Sequence, residues 1–217
     1  MAVGLLQRRY PRWLALHERQ LTLMSHGSFS GDQQTLWLTE NKIPDRKMQM
    51  LADFSFTDPA GVVWLTPKDY VVDGASIPRA FWTLVGSPYT GDYRRASIVH
   101  DKACDHASGN TSACRKAHRM FYHACRAGGC SIPEATLLYI GVRIGDVWPL
   151  VPAWSQLIAT PEGPLYEKTP TDQRIEADFR LIAQQVLAQP ESDDPVEIEA
   201  RTDRALRTTI GLNAVSQ

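Results

Sequence analysis

The sequence predicts an α+β fold in which a small antiparallel sheet precedes a bundle of helices. Short apolar runs rich in aromatic and β-branched residues are confined to 35–73, and longer runs with helical periodicity follow from about residue 92. The chain has 217 residues, of which 43% are hydrophobic and 22% charged. This composition is typical of a globular protein and excludes collagen-like, low-complexity and wholly disordered chains.

Three or four short strands are expected in the first half of the chain. The runs 36–38, 50–56 and 62–65 are apolar or alternate between apolar and polar residues. The sequence Thr-Asp-Pro-Ala-Gly at 57–61 predicts a turn between the second and third runs. A fourth run, at 70–72, completes the predicted sheet.

Four helices are predicted between this sheet and a proline-rich region. Ser76 and Ser112 are the expected N-caps of the first and third helices, and Ser131 with Glu134 forms a capping-box pattern before the fourth. The fourth helix is apolar on most faces, so we expect it at the centre of the core. The predicted helices end near residues 85, 107, 128 and 148.

Changes in composition divide the chain into four segments. They are a basic N-terminal extension (1–23), a core domain (24–148), a proline-rich linker (149–170) and an acidic helical C-terminal extension (171–217). The extension is expected to form helices near 171–188 and 195–207. These helices could bind a protein partner, mediate self-association or pack back on the core.

Charge and hydropathy limit the partners of the chain. The net charge of −1 and the isoelectric point near 6.6 give no strong signal for nucleic-acid binding. No run of about 18 apolar residues predicts a membrane span, and the first residues lack the apolar stretch of a signal peptide.

The four cysteines leave two redox states open. Cys104, Cys114, Cys125 and Cys130 could form two disulfides in an oxidising compartment. In the cytosol they would be free thiols that pack as small apolar residues. The absence of a C-x-x-C pair argues against a zinc site built from cysteines alone, and the absence of a recognisable secretion signal favours free thiols.

Two histidines on neighbouring predicted helices are the residues best suited to chemistry. His100 shares a helix face with small apolar residues, and His118 lies on the same face as Phe121. A connection of about four residues makes the two helices antiparallel neighbours. We therefore expect His100 and His118 to converge.

The histidine pair supports three catalytic hypotheses and one structural hypothesis. His100 could act as a general base; both histidines could bind a divalent metal ion with Asp73, Asp101 or Asp105; or Asp101 could hold a hard cation while His100 activates water. In the structural hypothesis, the same cluster is a buried hydrogen-bond network. The candidate catalytic residues are His100, Asp101 and Asp73, and the candidate metal ligands are His100, Asp101 and His118.

Two motifs carry a resemblance to a known family. Val-Asp-Gly-Ala-Ser-Ile-Pro-Arg at 72–79 is followed by Phe-Trp at 81–82 and by Ala-Ser-Ile-Val-His-Asp at 96–101. This pattern resembles the DUF1353 family of bacterial and tailed-phage proteins over about residues 29–147. His118 stands where the family pattern has an aspartate. The resemblance implies a cytoplasmic or virion-associated protein.

The His-Asp helix is also similar, more distantly, to the helix pair of secreted phospholipase A2, in which the histidine activates water and the aspartate holds calcium. Together the residues and the resemblances leave two functions open. One is a hydrolase-like His-Asp site of unknown substrate that acts by metal-assisted or general-base hydrolysis. The other is a non-catalytic structural, assembly or interaction protein of a phage.

Overall fold

The computed structural model describes residues 25–39, 47–73, 91–107, 109–147 and 170–211. Within these ranges six short strands precede five helices, which confirms the predicted α+β class. The strands are β1 (Ser28–Phe29), β2 (Thr35–Trp37), β3 (Met48–Met50), β4 (Phe54–Thr57), β5 (Val63–Thr66) and β6 (Val71–Val72). The helices are α1 (Arg94–Ala107), α2 (Thr111–Gly128), α3 (Ile132–Val147), α4 (Pro170–Leu187) and α5 (Pro195–Ile210).

The strands form two antiparallel sheets that are the two halves of one bent meander. Their orders are β1-β4-β5 and β2-β3-β6. Hydrogen bonds continue the pairing across the bend, since the amide of Ser30 donates to the carbonyl of Ser55 at 2.9 Å and the amide of Leu51 donates to that of Gln34 at 2.8 Å. The chain therefore passes three times through both sheets: β1 continues into β2, β3 into β4, and β5 into β6, and each pass is antiparallel to the next.

The turn predicted between the second and third apolar runs is confirmed, and it joins β4 to β5. Asp58 Oδ1 accepts from the amides of Ala60 and Val62, both at 2.9 Å, and Gly61 adopts a positive φ of 81°. This short turn holds β4 against β5, so that Phe54 and Phe56 of β4 are buried against the helices.

The starts of α2 and α3 show where capping patterns succeed and fail. The side chain of Asn110 accepts from the amide of Ala113 and caps α2, so the predicted cap Ser112 is wrong: Ser112 is already inside the helix. At α3 the capping box is confirmed. The amide of Ser131 donates to Glu134 at 2.7 Å and the amide of Glu134 donates to Ser131 Oγ at 3.3 Å.

Helices α1 and α2 are close neighbours, as the short connection predicts. At their far ends the backbones nearly touch, because a Cβ added at Gly128 would lie 2.3 Å from the carbonyl oxygen of Asp92. The predicted central helix, α3, is buried along most of its length. This packing places one face of α2 against α1 and other parts of it against α3 and α5.

The C-terminal extension packs back on the core. Phe179 and Ile182 of α4 and Ile198 and Leu206 of α5 are buried within the same apolar cluster as α3. Packing is therefore the outcome for these helices in the structure, while partner binding or self-association through them stays a prediction. None of the described helices is long and apolar enough to cross a membrane.

Several predictions fall on residues that the structure does not describe. The N-terminal extension, the short helix after Ser76 and all of the Asp-Gly-Ala-Ser-Ile-Pro motif except Asp73 lie outside the described residues. The predicted linker overlaps them only at Pro170, where α4 begins. The four cysteines are free thiols, with Cys125 and Cys130 buried and Cys104 and Cys114 half-buried.

Candidate functional site

The structure brings the two predicted histidines together between α1 and α2. His100 Nε2 lies 3.0 Å from His118 Nδ1. His100 has no exposed surface and His118 is 3% exposed. Phe121 covers His100 at a ring-centroid distance of 4.5 Å, and Tyr139 of α3 meets His118 edge-on at 6.5 Å. The pair is therefore enclosed by aromatic side chains.

Cys104 is the third member of this cluster, and sequence reasoning did not select it as a ligand. Its Sγ lies 3.3 Å from His100 Nε2. One ligand atom from each of His100, Cys104 and His118 falls within 4.8 Å of the others. The signal was present in the sequence, because residues four apart share a helix face. Cys104 was instead considered only as a disulfide or core thiol.

Asp101 and Asp73 meet each other beside the histidine pair. Asp101 Oδ2 accepts from the backbone amide of Asp73 at 2.9 Å, and Asp101 does not belong to the group of clustered ligand atoms. Adjacent residues of a helix point about 100° apart, so Asp101 leaves the face that carries His100. The predicted catalytic residues therefore do not converge on one point, and Cys104 occupies the place that the prediction gave to Asp101.

The acidic residues next to the cluster are engaged elsewhere. Burial, with the nearby charges of Asp73 and Asp105, raises the pKa of Asp101 to about 7. Asp105 accepts a hydrogen bond from the hydroxyl of Tyr70, whose ring also contacts the ammonium of Lys102 at 4.9 Å. Asp105 therefore binds the sheet rather than the histidines.

The polar groups of the cluster are incompletely paired within the described structure. Burial, reinforced by His118, lowers the pKa of His100 well below its ordinary value, and burial raises the pKa of the Cys104 thiol. His118 Nε2 is buried and makes no hydrogen bond within the described structure. A carboxylate oxygen of α3, Asp146 Oδ2, lies 3.8 Å from this nitrogen.

A second polar cluster joins His123 of α2 to His26, which precedes β1. His123 Nδ1 lies 3.0 Å from His26 Nδ1, and His26 Nε2 lies 3.0 Å from Asp193 Oδ2. Asp193 also accepts from Arg126 at 2.8 Å and from Tyr122 at 2.8 Å. His26 is distant in sequence from α2, and only the tertiary fold brings it to His123.

A third cluster consists of ion pairs between α5 and the core. Glu199 accepts from Arg115 and Arg119 of α2 and from the hydroxyl of Tyr139 on α3. Asp203 accepts from Arg115 at 2.7 Å and from Arg143 at 3.1 Å. Burial alone would raise the pKa of Glu199, but the hydrogen bonds and charges of Arg119 and Arg115 outweigh burial and lower it.

Comparison with known proteins shows that the segment carrying the histidine pair is similar to a family described as having no known function. The model of the family DUF1353, described as a protein of unknown function, matches residues 48–142. The uncharacterised protein y4jT of Sinorhizobium fredii (strain NBRC 101917 / NGR234) is 39% identical over 108 residues. The uncharacterised protein y4iH of the same strain is 37% identical over 107 residues.

These matches are partial on both sides. Each covers 49% of this chain, and they cover 31% of y4jT and 41% of y4iH. The chain thus spans less than half the length of these relatives. No solved structure matches the chain. The resemblance to DUF1353 is confirmed over residues 48–142, the part of the chain that holds His100, Cys104 and His118.

Proposed function

We propose that the protein binds a transition-metal ion of the zinc type through His100, Cys104 and His118, and that this ion holds α1 against α2. One observation carries the proposal: three side-chain ligand atoms from two helices lie within 4.8 Å of one another in the buried helix pair.

The spacing of these atoms supports a metal centre. With bonds of about 2.0–2.3 Å, ligands around a tetrahedral zinc ion stand about 3.3–3.6 Å apart. His100 Nε2 lies 3.0 Å from His118 Nδ1 and 3.3 Å from Cys104 Sγ. These two distances are within a few tenths of an ångström of that range, and the Cys104–His118 pair lies within 4.8 Å.

The donor types decide which ions suit the cluster. Two imidazoles and one thiolate favour zinc and other borderline or soft ions, whereas magnesium and calcium take oxygen ligands. Since Asp101 is bound to the Asp73 amide, the cluster offers no carboxylate to a hard cation. A calcium role of the phospholipase type is therefore not supported by this geometry.

Burial favours a structural role for the ion. Catalytic ions need a position that substrate and water can reach, and here His100 has no exposed surface while His118 is 3% exposed. An ion at this depth would add bonds between α1 and α2, and its binding free energy would add to the stability of the folded state.

Zinc titration of the purified protein tests this function. We expect one zinc ion per chain and a higher unfolding temperature with zinc, corresponding to about 2.7 kcal/mol at a free zinc concentration 100 times Kd. Cobalt should give a thiolate charge-transfer band, and magnesium should have no effect. His118→Ala and Cys104→Ala should abolish the cobalt band.

Matched controls are available on the same helices. Cys114 is a half-buried cysteine outside the cluster, and His106 is an exposed histidine of α1. Cys114→Ala and His106→Ala should bind zinc and cobalt like the unsubstituted protein. Absence of zinc binding by the unsubstituted protein, or binding retained by both ligand variants, would contradict the proposal.

Hydrolysis by a metal-bound water is a second candidate function. The observation that favours it is the number of ligands, since three protein ligands leave a fourth position that catalytic zinc sites give to water. Cys104 is the least buried of the three residues, being half-buried, whereas His100 has no exposed surface. In this candidate, His100 and His118 hold the ion, and Asp101 with Asp73 orients the substrate or water.

Chromogenic esters and phosphodiesters test this second candidate. Zinc-loaded protein should hydrolyse one of these classes, and Asp101→Asn should lower kcat while leaving zinc binding unchanged. Asp69→Asn, at an exposed carboxylate of the sheet, is the control and should keep full activity. Zinc-loaded protein without zinc-dependent turnover would leave the ion with a structural role only.

A further inference from the structure

The buried nitrogen of His118 that makes no hydrogen bond points away from the proposed metal position. His118 Nδ1 faces His100, and Nε2, on the opposite side of the ring, is buried and unpaired within the described structure. A buried polar atom without a partner costs about 1–3 kcal/mol. The 3.8 Å from Nε2 to Asp146 Oδ2 is too long for a hydrogen bond and short enough for electrostatic attraction.

Asp146 is held in this place by a chain of charged contacts. Arg143 Nη1 donates to Asp146 Oδ2 at 2.7 Å, and Arg143 Nε donates to Asp203 Oδ1 of α5 at 3.1 Å. Arg143 is among the largest fully buried side chains. The contacts therefore run from His118 on α2, through Asp146 and Arg143 on α3, to Asp203 on α5.

We propose that Asp146 is the positioning residue of the metal site and that, through Arg143 and Asp203, metal binding is coupled to the docking of α5. The inference rests on the proposed metal-binding function. An ion on His118 Nδ1 requires the ring proton to be on Nε2, where it faces the Asp146 carboxylate. Metal-bound histidines commonly donate their second N–H to a carboxylate in this way.

Asp146 itself is not a ligand in this arrangement. It faces Nε2, and the imidazole ring separates it from Nδ1 and the cluster of ligand atoms, to which it does not belong. Its effect on the ion is to fix the tautomer and orientation of His118. Asp146 and Asp203 also lie beyond the segment that matches the family, which ends at residue 142.

Coupling of this kind is reciprocal. If zinc strengthens the contact of His118 with Asp146, that contact must strengthen zinc binding by the same free energy, and the contacts that hold Asp146 in place support it. Loss of Asp203, which is two contacts beyond Asp146, should therefore weaken zinc binding. Zinc should in turn reduce the opening of α5 from the core.

Zinc affinity and hydrogen exchange of the full chain test the coupling together. Asp146→Asn keeps the shape of the side chain and removes its charge. We expect it to retain the cobalt spectrum of the three ligands and to bind zinc about 10- to 100-fold more weakly. Asp203→Asn should weaken zinc binding in the same direction, and Glu197→Gln, at an exposed position of α5, should not.

In the unsubstituted protein, zinc should slow amide exchange in the α5 segment, and this effect should disappear in Asp146→Asn. If Asp146→Asn does not fold, the zinc-dependent exchange of the unsubstituted protein and the affinity of Asp203→Asn still decide. Zinc binding with unchanged exchange in α5, or with unchanged affinity in both variants, would overturn the coupling alone. Failure of the unsubstituted protein to bind zinc would overturn the proposed function and the coupling together.

Discussion

Two of the polar clusters on helix α2 differ in how completely their polar groups are paired. Toward α5, Arg115 and Arg119 meet Glu199 and Asp203 with oppositely charged partners on both sides. Toward α1, His118 Nδ1 lies 3.0 Å from His100 Nε2, and the other ring nitrogen of His118 is buried without a hydrogen bond within the described residues. A cluster whose charges are already paired acts as structure, whereas an incompletely paired cluster is a place where a ligand can add stability.

The charged cluster should be the one whose disruption costs most. Glu199→Ala would leave Arg119 and the hydroxyl of Tyr139 without the carboxylate that they share. Breaking a buried ion pair costs about 3–5 kcal/mol, and we expect a loss of this size in the free energy of unfolding. Urea denaturation without metal measures it.

Glu197→Ala on the same helix is the control, because Glu197 is exposed, and it should cause a much smaller loss. His118→Ala in metal-free protein should also cost less than Glu199→Ala. Should Glu199→Ala cost under about 1 kcal/mol, the charged cluster would not hold α5 in the way that buried pairs do.

Acid should release the charged contacts of the C-terminal helices. Burial alone would raise the pKa of Asp193, but hydrogen bonds from Arg126 and Tyr122 outweigh burial and lower it, and the pKa of Glu199 is lowered as well. A carboxylate with a lowered pKa in the folded state stabilises at neutral pH. This contribution is lost as the pH falls from about 4, the ordinary pKa of a carboxyl group, through the lower pKa of the folded state.

Hydrogen exchange of α4 and α5 as a function of pH, corrected for the intrinsic exchange rate, measures this loss. The protection of both helices should fall below about pH 4. Asp193→Asn should flatten the pH dependence, while Asp32→Asn, at an exposed position of the loop after β1, should leave it intact. Protection that rises toward acid pH would refute the assignment of these two carboxylates.

The smallest expected effect concerns the start of α2, which serves both clusters. Asn110→Ala removes the side-chain oxygen that accepts from the amide of Ala113. Loss of an N-cap costs about 1 kcal/mol, and thermal unfolding should show a decrease of this size. Asn110→Asp keeps the accepting oxygen and should restore most of the stability; equal losses in both variants would mean that the cap does not stabilise α2.

Local patterns predicted the fold well because they depend on neighbours in sequence. The Asp58 turn and the Ser131–Glu134 capping box need only a few consecutive residues, and both are present. Helical periodicity likewise predicted that His100 and His118 face inward, and the short connection predicted that their helices are neighbours. Asn110 instead of Ser112 as the cap of α2 shows the usual limit of such patterns, since several residues near a helix start can cap it.

The site was predicted in part. The two histidines were selected, but Asp101 was grouped with them because it is adjacent in sequence, although it lies on another face of α1. Cys104, one turn after His100, was the better choice. Asp146 and Asp203 could not be selected, because nothing local in the sequence relates them to His118.

The sequence by itself determined the α+β class, the antiparallel pairing, the order of the helices and the inward face that carries His100 and His118. These properties follow from periodicity, turns and caps, which act over a few residues. Only the tertiary structure decided that His26 reaches His123 and that Arg143 of α3 reaches Asp203 of α5. Those contacts join residues whose separation in the chain carries no local signal, and they exist because burial brings the helices together and requires their polar groups to find partners there.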